Sequence, residues 1–535
     1  MKIGKFIALL LALALLAACA GPAAPAPAAP DAPAAAPAAP ADPAAPADAD
    51  DVVAFERDTV VVGSPVEPVV LFPFHSTLNT SMDTVPIQHN VFDPIVRMTA
   101  DGEIVPMLAH DWYISPTGMY IRLYIRDDVF FHNGYQMIAE DVAWTLNEAA
   151  PSRQGIAQLA NFDRAEVTGE WEVTVFLYAP YAPFINGLAN RFALVVSRQL
   201  FDEIGEDALN EHPIGTGPYK FVERVPGERV VLVANENHWN GPPAVQNIII
   251  RTLPDVNTQM IALEAGEIDV LIRANVGLLA RMDAPGVAFE VTAASSIGTL
   301  NLNLRNGPAQ CFYFRRAIQY AINREEINIG VFEGMATTGY IPMAPNFTAR
   351  PVGYRMVHMD LDAARAMLAQ SNYNGEEFRI ATPSGTANEL AAQVIQGQLI
   401  AIGINAQVVA MDTPSYNAAV ETGEAHAWLR ASGVSLVDSD GLYFMFHSAM
   451  VNAPPNVDRG NWTPELDELI MRGRVEPDQD VRVQIYTEAV NIVTDLVIAI
   501  PMYYEVNAVA FNRDLQGVRP HALFGLYYFC DWSWS

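Results

Sequence analysis

The chain has 535 residues, 51% of them apolar and 17% charged, a globular composition too large for a single ordinary core and far from that of a disordered chain. It carries 61 acidic side chains against 31 basic ones, a formal net charge of -30. This argues against nucleic acid as a partner, because phosphate contacts need Lys and Arg; the plain consequence of such a charge is solubility.

Lys2 and Lys5 precede an apolar run from Phe6 to Leu16, which the small residues Ala17 and Ala18 follow. That is the pattern of a secretory leader over residues 1–18, and it is too short to favour a spanning helix. Leu16-Ala17-Ala18-Cys19 resembles the bacterial lipobox, which implies cleavage before Cys19 and a diacylglyceryl group on its sulfur. Residues 19–51 are nearly all Ala, Pro and Asp, with no side chains to build a core. They predict an extended tether able to span up to roughly 100 Å at ~3.1 Å per residue. With Cys19 so used, Cys311 and Cys530 remain; their separation gives no disulfide framework, and two buried free thiols are expected.

Asp58-Thr-Val-Val-Val-Gly63 predicts a first strand, and Leu71-Phe-Pro-Phe-His75 a loop whose His75 either lines a pocket or is simply solvated. Ile121, Leu123 and Ile125 alternate with Arg122, Tyr124 and Arg126, as on an antiparallel strand with one wet face. A helix follows from Ala139, marked by Val142 and Leu146. His132, Glu140 and Asp141 lack the spacing of metal ligands, and the expectation is that they order a turn and cap that helix. Ile214-Gly-Thr-Gly-Pro-Tyr219 is no phosphate loop, because Pro218 removes a donor and no Gly-x-x-x-x-Gly-Lys-Ser/Thr register exists; it predicts a tight turn between strands.

Residues 248–253 read as strand, 255–265 as a helix capped by Asp255 and ended by Gly266, and 268–272 as strand, which is one βαβ unit. A second unit comprises strand 378–381, a helix bearing Leu390, Val394 and Ile395 and closed by Gly403, and strand 404–408. Between them, Ile297 to Leu304 alternates as a strand, Asn306-Gly307-Pro308 breaks it, and Ala317, Ile318, Ala321 and Ile322 recur at helical spacing. Asp360 to Leu368 predicts a helix capped by Asp360, and Tyr486 to Ile500 an apolar helix. Two such units imply two lobes with mainly parallel sheets.

Several of these stretches carry a resemblance. Leu300-Asn-Leu-Asn303, followed by Phe314-Arg-Arg-Ala-Ile-Gln-Tyr-Ala-Ile-Asn-Arg-Glu325, is similar to the segment that opens the second lobe of the family 5 extracytoplasmic solute-binding proteins, the dipeptide-, oligopeptide- and nickel-binding components of ABC importers. Trp112, Gly118, Phe131-His-Asn-Gly134 and Asp141-Val142 resemble another succession in that family, with Asn133 where Asp is usual. Ile214 to Tyr219, Asn235 to Pro243 and Asp360 to Leu368 match further elements. The resemblance covers nearly all of residues 52–535.

It implies a two-lobed α/β fold of the periplasmic-binding-protein type, with hinge crossovers near Ser295 and at Pro501-Met-Tyr-Tyr-Glu-Val and an extra subdomain in the first lobe. The implied division is residues 52–78, 213–294 and 508–535 for lobe I, 79–212 for its inserted subdomain, and 295–507 for lobe II. The implied role is capture of a solute, a peptide first, and delivery to an ABC permease by a lipid-anchored monomer, with no catalytic residue, no cofactor and no resident metal. In peptide-binding members the segment that here reads Ser432 to Phe444 carries an acidic residue facing the peptide's α-ammonium. Setting Asp438-Ser-Asp440 on the family's Asp-Pro-Asp run puts Ser435 at that position, while a slipped alignment would put Asp438 there. The candidate solute contacts are His75, Ser296, Trp428, Ser432, Ser435, Asp438 and Tyr443, with core packing the alternative for Trp428 and Tyr443.

The missing charge at Ser435 keeps a non-peptide organic solute open. Nickel is disfavoured by the absence of clustered His and carboxylate ligands. An exported hydrolase using Asp438 and Asp440 is a rival class, but no Gly-x-Ser-x-Gly or His-Glu-x-x-His motif supports it. A sensor or chaperone on the same fold would look identical in sequence.

Overall fold

The alternating stretch at Ile297 becomes part of a strand of 16 residues, Val287–Leu302, on which the architecture turns. The computed structural model describes residues 58–76, 84–152, 155–280, 282, 284–433, 436–450, 463–521, 523 and 525–535. The leader, Cys19, the Ala/Pro tether and Ser435 lie outside the described residues.

One sheet of eleven strands runs through the molecule. In chain order these are β1 (Thr59–Ser64), β2 (Tyr219–Val225), β3 (Arg229–Ala234), β4 (Asn247–Thr252), β5 (Val270–Ile272), β6 (Val287–Leu302), β7 (Thr337–Thr338), β8 (Phe378–Pro383), β9 (Ala406–Met411), β10 (Ala427–Gly433) and β11 (Ala499–Asn512). Their spatial order is β9-β8-β10-β6-β11-β5-β1-β4-β3-β2, with β7 added against β11.

The expectation of mainly parallel sheets needs correction, since the sheet is mixed. Strands are parallel in the helix-connected units, β8 with β9 and β10, and β1 with β4 and β5, which lie on either side of it and are joined by the helix Val256–Glu264. They are antiparallel where the two long strands β6 and β11 run side by side and against β10 and β5. A helix can return the chain for a parallel pairing, whereas two strands crossing in opposite directions pair antiparallel.

Both βαβ units form. In the first, the Asp255 carboxylate accepts from the Thr258 amide at 2.8 Å and starts the helix Val256–Glu264. In the second, Ala387–Ala401 packs Ala391, Ile395 and Leu399 against Phe378 and Ile380 of β8, joined by Leu300 and Leu302 of β6. Leu300 and Leu302 are fully buried, and each stabilises the fold by about 1.5–3 kcal/mol. The helix Phe312–Ala321 lays Phe314, Ala317 and Ile318 into the same cluster.

The inserted stretch holds a four-stranded antiparallel sheet, Ala109–Ile114, Tyr120–Ile125, Glu172–Leu177 and Phe162–Gly169 in that spatial order. Ile121, Leu123 and Ile125 are buried while Arg122 reaches Glu172 at 3.2 Å, as the alternation required. Asp141 accepts from the amides of Ile138 and Arg198, at 3.1 and 2.8 Å, and so orders the starts of two helices, Ala139–Ala149 and Arg198–Glu211. His132 hydrogen-bonds the Gly217 carbonyl at 2.9 Å.

Two local expectations fail for physical reasons. The Gly215–Gly217 turn lies between a helix and β2, and its glycines serve close packing: a Cβ on Gly215 would sit 2.1 Å from the Val91 carbonyl oxygen. The last helix spans Gln479–Leu496 rather than reaching Ile500. Val497 takes φ 52°, and the apolar run Ile498 to Ile500, which fits either structure, passes into β11. Cys311 and Cys530 are free and half-buried rather than fully buried.

Candidate functional site

The two long strands are the place where the halves of the sheet meet. Ala293 pairs with Val506 and Ile297 with Tyr504, so the three residues Ala294, Ser295 and Ser296 face the single residue Glu505. This bulge, and a second register shift between Gly298 and Thr299, bend both strands as they cross. Gly298 is required there, because the Tyr503 ring lies where a Cβ would be, 2.2 Å away. The Tyr503 hydroxyl donates to Asn388 Oδ1 at 2.7 Å, and the Tyr504 hydroxyl to the Ile341 carbonyl at 3.1 Å.

On its other edge β11 is paired only in part. Thr337 and Thr338 cover Tyr504 and Tyr503, and β5 covers Val509 to Phe511. Among the described residues no strand lies against Glu505 to Ala508 on that side, so the sheet has a gap where its halves part. Glu505 is largely buried there, the Ser296 hydroxyl is its hydrogen-bond partner, and burial pushes its carboxyl above the usual glutamate range.

Ser296 and Ser432 are neighbours across the crossover, since Ser296 pairs with Gly433 and Ile297 with Ser432. Asp438 and Tyr443 belong to a second group. Asp438 is fully buried, and Arg482 donates to both of its carboxylate oxygens, at 2.6 and 3.0 Å. With the Asp440 amide also donating to it at 2.7 Å, this carboxylate has its charge answered within the protein. The expectation that Asp438 might meet a solute ammonium is therefore corrected: its partner is Arg482.

Asp440 accepts from the Tyr181 hydroxyl at 2.7 Å and forms an ion pair with Arg474 at 3.0 Å. Burial pushes the Asp440 carboxyl up to about 6, with Arg474 pulling the other way and Asp438 adding to the rise. Tyr443 lies under Arg474, its ring centroid 3.7 Å from the guanidinium carbon. Because Tyr181 comes from the inserted stretch and Arg474 from the helix Pro464–Val475, the group ties distant parts of the chain together. The Ala182 amide donating to the Arg474 carbonyl at 2.8 Å adds to that tie.

Trp428 is 2% exposed and packs with Ala381, Tyr416, Val420 and Ala425, which makes it core. His75 is buried and bonded to Asp207 at 3.1 Å, on the helix Arg198–Glu211. Neither joins the two groups just described. Glu505 was read only as part of a crossover, and the available signal was a lone acid inside the apolar run Ala499 to Val506. A third polar centre is structural. Asp93 takes hydrogen bonds from Thr216 and Trp239, each at 3.1 Å, beside His238 at 3.4 Å. It thereby joins two of the stretches that carry the resemblance, Ile214 to Tyr219 and Asn235 to Pro243. No cluster of three His, Cys, Asp or Glu suited to a metal occurs among the described residues.

Comparison with known proteins agrees with this geometry. The sequence profile of the bacterial extracellular solute-binding proteins, family 5, matches residues 103–452. The nickel-binding periplasmic protein of Escherichia coli is 28% identical over 398 residues, which is 70% of this chain and 75% of that one. Di/tripeptide-binding protein 2 of Pseudomonas aeruginosa is 25% identical over 508 residues, 88% of this chain and 94% of that one. The structure of HbpA2 from Haemophilus parasuis superposes with a TM-score of 0.80 at 23% identity, over 89% of this chain and 100% of that one. The periplasmic binding protein DppA of Helicobacter pylori, in complex with the peptide STSA, gives 0.72 at 23% identity, over 89% of this chain and 98% of that one.

Proposed function

The chain belongs to the bacterial extracellular solute-binding proteins of family 5, and from that premise we propose that it captures a peptide between two lobes and presents it to an ABC permease. It is a transport protein rather than an enzyme, and it works outside the cytoplasm. The observation that carries the two-lobe reading is the pair of long strands, β6 and β11, bent by bulges where the sheet halves part. Two bent strands make a hinge, and binding energy then selects the closed form that a permease distinguishes from the empty one.

The solute class is favoured by the di/tripeptide-binding relatives, one of which spans 94% of its own length in the match. Ser296 would offer its hydroxyl to the solute, with Ser432 on the strand paired beside it and Ser435 close behind in the chain. His75, Trp428 and Tyr443 have protein partners instead. A non-peptide organic solute is the second reading, favoured by Ser435 standing where peptide-binding members carry an acid. Anchoring through a lipidated Cys19, with residues 20–51 as a tether and the protein acting as a monomer, completes the proposal. No helix among the described residues is long and apolar enough to cross a membrane.

The test is calorimetry of the purified chain with di- to pentapeptides, paired with small-angle scattering at saturation. Binding with compaction is expected. If peptides fail while other organic solutes bind, the second reading stands; binding without compaction would remove the hinge.

A further inference from the structure

A largely buried carboxylate that no cation answers is costly, because burial removes water from the charge and nothing replaces it. Glu505 is in that position. The Ser296 hydroxyl is its hydrogen-bond partner, and no Lys, Arg or His pairs with it among the described residues. Its strand neighbours are Tyr504 and Val506, and the bulge opposite offers Ala294, Ser295 and Ser296, none of them charged. The buried acids are supplied with donors: Asp438 by Arg482, Asp440 by Arg474 and Tyr181, Asp93 by Thr216 and Trp239, Asp141 by the amides of Ile138 and Arg198. The part-buried Asp269 accepts from the Val61 amide, away from the junction of β6 and β11.

The location is also distinctive. Glu505 is the one residue on β11 opposite a three-residue bulge, at the place where the strand's other edge has no partner strand among the described residues. A group entering between the sheet halves would therefore meet this carboxylate at the junction of the two crossing strands. The Ser296 hydroxyl fixes its orientation by donating to one side, leaving the remaining lone pairs to accept from a donor with positive charge.

We propose that Glu505 is the specificity-determining residue that receives a positively charged nitrogen of the solute, an ammonium or guanidinium, with Ser296 holding its carboxylate in place. The assignment rests on the reading of the chain as a solute-binding protein. A single carboxylate beside a hydroxyl suits a multi-donor nitrogen cation rather than a bare metal ion, which needs several ligands.

The experiment screens the full-length protein by thermal shift and calorimetry. The probes are dipeptides, spermidine and arginine as cationic solutes, N-acetylated dipeptides and maltose as neutral or anionic ones. Binding by a cationic probe is expected, with Glu505→Gln weakening it by about thirty-fold or more, as when one partner of a buried charge pair is truncated. Glu505→Asp should retain part of the affinity, and N-acetylation of a bound dipeptide should lose as much as Glu505→Gln does. An unfolding temperature of Glu505→Gln no lower than that of wild type shows that the loss is local, and Ser296→Ala gives a second reading through a smaller loss. A cationic probe that binds Glu505→Gln within about three-fold of wild type overturns the proposal. So does binding confined to neutral or anionic probes, which leaves the transport reading intact. Failure of every probe class would overturn both.

Discussion

Two sets of buried acids share this molecule and differ in what answers their charge. Asp438 and Asp440 face Arg482 and Arg474, with Tyr181 and Tyr443 closing the group. Glu505 faces a serine. In the first set the pair of Asp438 with Arg482 is complete in itself: Arg482 also donates to the Gly473 carbonyl at 2.9 Å and to Gln479 at 3.1 Å, so its charge is spread over well-placed acceptors. The second is incomplete, and an incomplete polar site where the halves of the sheet part is where a binding partner has most to gain. A buried pair that is complete holds structure; a buried charge left open is prepared for something else.

The largest effect expected from breaking this contrast is at Arg482. Arg482→Met removes the cation and leaves the Asp438 carboxylate buried without an answer, which should destabilise the protein by about 3–5 kcal/mol. Urea unfolding of wild type and variant, followed by the double variant Asp438→Asn with Arg482→Met, measures it. Much of the loss should return in the double variant, because the cost lies in the unanswered charge. A single-variant loss below about 1 kcal/mol would show that water reaches Asp438 and that the pair is not the buried unit described above.

A smaller effect is expected from pH. The Asp440 carboxyl titrates at about 6 in the folded chain, above its ordinary value of 3.8. Between those two values the folded protein holds a proton that the unfolded chain has released. The stability from this group is therefore full at pH 4 and is lost as pH rises through 6. The groups facing it are Arg474, Tyr181, Asp438 and Arg482. Asp440→Asn cannot titrate, so the difference between wild type and this variant should change by on the order of 2 kcal/mol between pH 4 and 7. A flat difference across that range would mean that Arg474 keeps Asp440 ionised throughout.

The contrast also shows how much the sequence reveals. Strands and helices whose apolar period is local, such as Tyr120–Ile125 or Ala387–Ala401, were legible because their burial pattern repeats within a few residues. The order of the strands in the sheet was partly legible, through the βαβ units, but the antiparallel pairing of β6 with β11 depends on residues far apart in the chain. The site was the least legible part. Asp438 finds Arg482 at a separation of 44 residues, and Trp428 reads equally well as a stacking surface or as core until Tyr416 and Val420 are seen against it. His75 is explained by Asp207, which no motif connects to it. At Ile498 to Ile500 an apolar run extended the expected helix into what is a strand, since periodicity in three residues separates nothing.

The smallest effect sharpens the comparison most, because it reverses sign. Replacing Asp438, whose charge Arg482 answers, by its amide should weaken the fold, whereas Glu505→Gln removes a charge that burial disfavours. Its carboxyl is raised above the ordinary glutamate range by burial, against the Ser296 hydrogen bond. For such a group, stability is present below the unfolded value and is lost as pH rises through the folded one. In the absence of solute, Glu505→Gln should therefore gain on wild type as pH rises from 4 to 8. Glutamine keeps the shape and can still accept from Ser296, so the gain reports on charge alone. A bound cation should reverse the order of the two proteins, since only the carboxylate gains from it. Thermal unfolding at the two pH values, with and without a cationic solute, gives all four quantities. A difference between wild type and Glu505→Gln that stays flat from pH 4 to 8 in the empty state would show that water already answers the charge at the crossover. The asymmetry between the two sets of acids would then disappear.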